Sequence, residues 1–175
     1  AGETCEGNIN LYGIYNIYNA AGAIALTRVV LGEKLNKQAL IDELAKITPA
    51  FGRGETLNIN GRPLQLLLVK NPSGFRLSLA SASADDYATM ITINDQYADG
   101  RDVSWLWDVD FDSLSDTGVD MVSGVRAWDM ALRLDHDGVK VDDVNENLAD
   151  ALKGFIASSG NAPMRIFCTY TAMLA

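Results

Sequence analysis

Cysteine is scarce in this sequence: Cys5 and Cys168 are its only two, far apart and without C-x-x-C spacing. That pattern excludes a disulfide-stapled scaffold and a thiolate metal site, so no metal ligand set is assigned and both cysteines read as reduced thiols of a cytoplasmic protein. Histidine is scarcer still. His136 stands alone between Asp135 and Asp137 and reads as solvated, so no Cys-His-acid apparatus is complete within the chain. Basic residues are outnumbered, 14 Lys and Arg against 23 Asp and Glu, for a net charge of -9 and a pI near 4.4. This excludes a broad nucleic-acid or anionic-membrane face, which needs a basic surface to release counterions. Neither a run of about 20 apolar residues nor a basic-then-apolar leader is found, so no membrane span is expected. Phosphate-loop motifs are missing as well: neither G-x-x-x-x-G-K-[ST] nor G-x-G-x-x-G occurs. The opening residues, Ala1 to Asn8, lack a methionine and an obvious first element, as in a fragment of a longer chain.

What is present is ordinary globular composition, 48% hydrophobic and 21% charged over 175 residues, enough to fold around a core without staples. Small and apolar residues recur at helical spacing over 16–31 and stop at Gly32. A second amphipathic helix puts Leu40, Ile41, Leu44 and Ile47 on one face before Pro49. Asn60-Gly61 between the runs 55–59 and 64–69 predicts a hairpin closed by a type I′ turn. Beyond it, strands over 90–93, 119–122 and 164–168 alternate with helices over 75–80, 125–134 and 144–156. Strands separated by helices of this length imply right-handed crossovers and an α/β fold with a mainly parallel sheet covered on both faces. The domain boundary falls at Phe51-Gly52-Arg53-Gly54, dividing 1–52 from 53–175.

In such sheets ligands collect at the carboxyl ends of the strands. Lys70, after one strand, suits a phosphate as a point charge, or is simply a solvated strand end. Arg126 at a helix start opposes the helix dipole and points to an anionic partner. The segment 94–108 gathers Asp95, Asp99, Asp102 and Asp108 with Arg101, Trp105 and Trp107. Either those carboxylates cap and turn a surface loop while the tryptophans fill the core, or they are paired and used.

Gly13-Ile14-Tyr15-Asn16-Ile17-Tyr18-Asn19-Ala20-Ala21 resembles the helix start of Mur ligases whose asparagines approach the adenine of ATP. Phe51-Gly52-Arg53-Gly54-Glu55 resembles the junction into their carboxy-terminal domain, and Lys70-Asn71-Pro72 a lysine variant of the motif after that domain's first strand. Joined to Ala98-Asp99-Gly100-Arg101-Asp102-Val103-Ser104-Trp105-Leu106-Trp107-Asp108, to Ser123-Gly124-Val125-Arg126-Ala127 and to Tyr170-Thr171-Ala172, this is similar to the MurT family. The resemblance implies a Rossmann-like Mur ligase carboxy-terminal domain over 53–175, preceded by the end of the central ATPase domain over 1–52. It implies a part in ATP- and Mg2+-dependent amidation of the D-glutamate α-carboxylate of lipid II, with ammonia from a GatD-type glutamine amidotransferase partner. It further implies that Asn16 and Asn19 lie at the adenine, that Lys70, Asn71 and Arg126 lie near phosphates or the substrate carboxylate, and that an aspartate completes the partner's triad, Asp102 before Asp99 and Asp108. The phosphate loop, the magnesium ligands and a four-cysteine zinc ribbon of the family belong upstream of this chain, which alone is expected to be inert. The alternative, from a different class, is a docking module for the glutaminase that performs no chemistry.

Overall fold

The computed structural model describes residues 4, 6–11, 13–49, 52–81 and 87–175; Cys5 and Phe51 lie outside them. Helix α1 (Tyr15–Leu31) ends at Gly32, whose φ of +52° stops the helix, and α2 (Lys37–Ala45) starts under Asn36, whose side chain accepts from the Ala39 N–H at 3.0 Å. Of α1 only Ala20 is buried; Ile17, Tyr18, Leu26, Val29 and Val30 are exposed. No described helix is long and apolar enough to cross a membrane.

Strands β1 (Arg53–Ile59) and β2 (Arg62–Leu68) form the antiparallel hairpin expected from Asn60-Gly61. Both turn residues have positive φ, +54° and +83°, and the Asn58 side chain accepts from the Gly61 N–H at 2.9 Å. There follow α3 (Pro72–Ser81), β3 (Ala88–Thr92), β4 (Val119–Ser123), α4 (Ala127–His136), β5 (Val141–Asn145), α5 (Leu148–Ser158), β6 (Met164–Cys168) and α6 (Tyr170–Leu174). The six strands make one sheet in the order β1-β2-β6-β3-β4-β5, parallel from β2 onward. One row across it runs Leu66, Ile166, Met90, Met121, Asp143. Every residue of the central strands β3 and β6 is buried, including Arg165, whose Nε donates to Thr89 Oγ1 at 2.8 Å, so neither strand shows the polar-apolar alternation of a half-solvated sheet.

Alternate strand residues feed two cores. Ile91, Ile93, Val122 and Phe167 pack under α3, α4 and the loop 94–118, meeting Phe75, Met130, Leu134, Leu106 and Phe111. Met90, Met121, Met164 and Ile166 pack under α5 and α6, against Ala151, Phe155 and Ala172. Arg62 ties the hairpin to the end of α5, donating to Gly160 O at 2.7 Å and Ile156 O at 2.9 Å.

One expected element divides. The stretch 144–156 is not a single helix: it opens in β5, and α5 begins only at Leu148, where the Asn147 side chain accepts from the Asp150 N–H at 3.1 Å. Pairing β5 along β4 satisfies the backbone groups of an otherwise open edge, Val122 opposite Val144, and that ladder outweighs the helical spacing of the apolar residues. The following helix is shifted too. The span 125–134 becomes Ala127–His136 because Gly124 to Arg126 form the turn out of β4.

Candidate functional site

Because β2 to β6 run parallel, their carboxyl ends open on one edge of the sheet, and the polar residues that follow them line it. Asn94, just past β3, is the hub. Its backbone N–H donates to Thr169 Oγ1 (2.9 Å), its amide nitrogen donates to Thr171 Oγ1 (3.2 Å), and its Oδ1 accepts from the Val125 N–H (3.0 Å). Gly124 permits this approach: its φ is +93°, and a Cβ there would lie 2.4 Å from the Ile93 carbonyl oxygen.

Asp99 belongs to this hub. Only 7% of it is exposed. Its carboxylate accepts from the Thr171 N–H at 2.8 Å, from the Gln96 N–H at 3.1 Å and from the Thr171 hydroxyl, so its oxygens are engaged in joining the loop to α6. Arg126 does meet an anion, but one from its own chain: Nε and Nη2 donate to Asp95 Oδ2 at 3.0 and 2.7 Å, and Asp129 lies 3.5 Å away. The Asp95 hydrogen bond and charge hold the guanidinium above its ordinary pKa.

The remaining expected residues divide between two places. Lys70 is exposed, and Asn71 caps α3, its Oδ1 accepting from the Gly74 N–H at 2.8 Å, with Pro72 at the first helical position. Three strand spacings separate β2 from β4, roughly 14 Å, so Lys70 and Arg126 do not form one anion clamp. Asn16 lines an open pocket of about 520 Å³ with Leu11, Thr48, Pro49, Arg53, Leu68 and Tyr170, and Asn19, exposed, donates to Asn16 Oδ1 at 3.2 Å. Arg53 and Tyr170 were visible only as motif letters in the sequence. Their meeting in this pocket follows from two pairings: β1 with β2 sets Arg53 opposite Leu67, and β2 with β6 brings the start of α6 beside the end of β2.

The acidic segment lies beside α3 and α4 and is built from below. Leu106, Val109, Phe111 and Leu114 are buried, Trp105 packs against the same core, and Trp107 is half exposed. Arg133 of α4, 6% exposed, is the anchor. It donates to Leu106 O at 3.2 Å, to Val109 O at 2.5 Å and to Asp137, and its guanidinium lies 5.4 Å from the rings of both Trp107 and Phe111. Asp137 also accepts from the Phe111 N–H at 3.1 Å; the Arg133 hydrogen bond, with that N–H, holds its carboxyl below the usual range. Asp110 and Asp112 approach Asp137 within 4.8 Å. With Asp137 committed to Arg133 and Asp110 capping the Asp112 N–H at 2.9 Å, this acidic group is accounted for by the loop's own bonds.

On that scaffold Asp102 and Asp108 reach solvent. Asp102 accepts from the Ser104 N–H at 2.8 Å, and the contacts with Ser104, side chain before backbone, lower its pKa. It is a solvent-facing anion at the start of a short 3-10 turn, Ser104–Asp108. The Asp108 backbone carbonyl accepts from Arg76.

A family model, MurT ligase C-terminal, matches residues 68–173. The chain belongs to the MurT family. It is 34% identical over 175 residues to the Lipid II isoglutaminyl synthase (glutamine-hydrolyzing) subunit MurT of Streptococcus pneumoniae, covering 97% of this chain and 38% of the relative. The subunit of the same name from Staphylococcus aureus is 34% identical over 131 residues, covering 73% of this chain and 29% of the relative. The chain thus spans well under half of these relatives. Among solved structures, UDP-N-acetylmuramate-alanine ligase MurC of Thermotoga maritima aligns with a TM-score of 0.70 at 17% identity, over 98% of this chain and 38% of that one. Folylpolyglutamate synthase of Mycobacterium tuberculosis, complexed with ADP and AMPPCP, aligns with a TM-score of 0.62 at 20% identity, over 94% and 39%. The fold is that of a Mur ligase carboxy-terminal region, and these relatives are ligases.

Proposed function

We propose that this chain is the carboxy-terminal part of the ligase subunit that amidates lipid II, and that it lends Asp102 to the catalytic histidine of a glutamine-hydrolysing partner. The observation that carries the second half is the contrast between two acids of one loop: Asp99 is buried with its oxygens engaged, whereas Asp102 is exposed and held ionised by Ser104. An ionised carboxylate that accepts a histidine Nδ1–H fixes the imidazole tautomer and stabilises the imidazolium formed during acyl transfer. Among the described residues, exposed His136 and the buried Cys168 thiol form no glutaminase apparatus, which agrees with an acid supplied to a partner.

The pocket beside Asn16, Arg53 and Tyr170 fits an adenine nucleotide in chemistry: an amide, a cation and a phenol around apolar Leu11 and Leu68. When bound, ATP with Mg2+ would supply the phosphoryl group that activates the D-glutamate α-carboxylate for attack by ammonia. The chain's own part is to hold the base at Asn16 and Asn19 and to keep Lys70 exposed at the sheet edge as a point charge. Arg126 is given a supporting part in this reading, anchoring the β4–α4 turn through Asp95.

Replacing Asp102 by Asn in the full subunit tests the proposal. Glutamate release by the partner is expected to fall by about three to four orders of magnitude, by analogy with triad acids, while complex formation survives. Wild-type release from Asp102→Asn, with loss in Asp108→Asn, transfers the role to Asp108. Wild-type release from both leaves a docking scaffold without a catalytic acid.

A further inference from the structure

Helix α5 leans over β4 and β5, and α6 is only five residues long, so the part of the sheet where β2, β6 and β3 run side by side is incompletely covered on that face. What remains is an apolar cavity of about 240 Å³. Leu66, Ile166 and Met90, neighbours in one row of the sheet, make its floor, with Leu152 of α5 and Met173 of α6 as walls. Leu57, 38% exposed, stands at its rim. Among the described residues no charged side chain lines it. One polar group breaks the apolar surface. Thr92, two residues beyond Met90 and so on the same face of β3, is 3% exposed, and its hydroxyl has no hydrogen-bond partner among the described residues. Ser123, opposite it on β4, is equally without one, so neither hydroxyl satisfies the other. The Cys168 thiol, also in the lining, is turned to Leu67 O at 3.9 Å. A buried hydroxyl left unpaired costs free energy that a bound partner recovers.

We propose that this cavity is a binding site for a small uncharged amphiphile, an apolar body of about eight carbons bearing one hydroxyl that pairs with Thr92 Oγ1. Water is the poorer occupant: an ordered water needs two to four polar partners, whereas apolar cavities of about 150 Å³ stay dry and take up benzene. The size of the guest follows from the same comparison, about 25 Å³ per non-hydrogen atom, which allows about ten atoms here. Its lack of charge follows from the lining, because a carboxylate or ammonium placed there loses its water and gains no counter-ion. A single polar group suffices, since Thr92 is the one unpaired hydroxyl of the described lining. The flexible thioethers of Met90 and Met173 adapt to the shape of the guest and favour an aromatic ring. The site lies on the face of the sheet opposite α4 and the acidic segment and is independent of the reading of Asp102.

The test is an NMR titration of the full subunit, isotope-labelled at its methionine methyls, with three probes of matched size: phenethyl alcohol, ethylbenzene and phenylacetate. Phenethyl alcohol is expected to shift the Met90 and Met173 methyl resonances saturably, while Met130, in the other core, stays in place. Phenylacetate should bind at least about tenfold more weakly. Thr92→Val keeps the shape and deletes the hydroxyl, so phenethyl alcohol should bind about fivefold more weakly, the worth of one net hydrogen bond, and ethylbenzene no more weakly than to the wild type. Ala172→Leu fills the cavity from α6 and should abolish binding of both; if it fails to fold, Leu152→Phe fills the cavity from α5, with the melting temperature reporting the fold of each variant. Absence of a saturable shift at Met90 and Met173 overturns the proposal, including the case in which the isolated chain responds and the full subunit does not, which means that the rest of the subunit fills the cavity. Equal shifts at Met130 overturn it as partition into the whole protein. Wild-type affinity for phenethyl alcohol in folded Thr92→Val, or phenylacetate binding as tightly as the alcohol, overturns the assigned ligand class.

Discussion

Replacing Arg133 by Met should unmoor the acidic segment, and the size of the effect can be worked from its bonds. The guanidinium is 6% exposed and serves Leu106 O, Val109 O and Asp137. Removing one partner of a buried ion pair costs about 3–5 kcal/mol. Asp137 keeps its bond from the Phe111 N–H and 14% side-chain exposure, so the lower end, about 3 kcal/mol, applies to the pair. The stranded carbonyl of Val109 adds about 1 kcal/mol more, whereas that of Leu106 keeps the Val109 N–H at 3.2 Å. At about 2–4 °C per kcal/mol for a chain of this size, the melting temperature should drop by roughly 10 °C. Arg133→Lys keeps the charge but not the planar fork, and should lose about half as much. There is also a pH signature. The folded Asp137 carboxyl is held below its ordinary value by Arg133, so its contribution is present above about pH 4 and is lost as pH falls through the lower folded value. In Arg133→Met this acid-side decline should shrink. Urea titrations of both proteins from pH 7 down to pH 3 provide the measurement. A loss under about 1 kcal/mol at pH 7, or an acid-side decline equal to that of the wild type, would refute the assignment of Arg133 as anchor.

Three further outcomes are expected. Asp99→Ala should cost about 1–3 kcal/mol and speed amide exchange at Thr171, whose N–H it holds; unchanged exchange there would contradict the clamp between the loop and α6. Gly124→Ala forces a Cβ to 2.4 Å from Ile93 O at positive φ and should destabilise by at least about 2 kcal/mol, read by the urea midpoint, with a neutral result arguing against the close approach of the β3 and β4 ends. Cys168, whose thiol burial pushes up to about 12, should resist alkylation at pH 8 until the protein unfolds. Peptide mass spectrometry checks this, and prompt labelling of the folded chain would show that the β6 environment is open.

Local chemistry alone determined much of this protein. Asn60-Gly61 dictates the hairpin because both residues accept positive φ, Asn71-Pro72 starts α3, and Gly32 stops α1; each works within a few residues. The short, mostly apolar runs over 90–93 and 164–168 announced strands of a mainly parallel sheet, because burial on both faces removes alternation. The motifs along the chain carried the family as well, since they are short stretches in a fixed order. What the sequence alone did not decide lies in pairings across the fold. β5 was hidden because an edge strand buries little, so the apolar spacing of the helix behind it dominated the reading. Asp99, Asp102 and Asp108 look alike as letters in one loop, and only the fold separates them: Thr171, 72 positions away, takes up Asp99 and leaves Asp102 in solvent. Arg126 likewise signalled an anion, but not that Asp95, 31 positions earlier, is that anion. A charge on a strand end is defined by what the neighbouring strand ends bring to it, and strand order is set by the packing of the whole sheet.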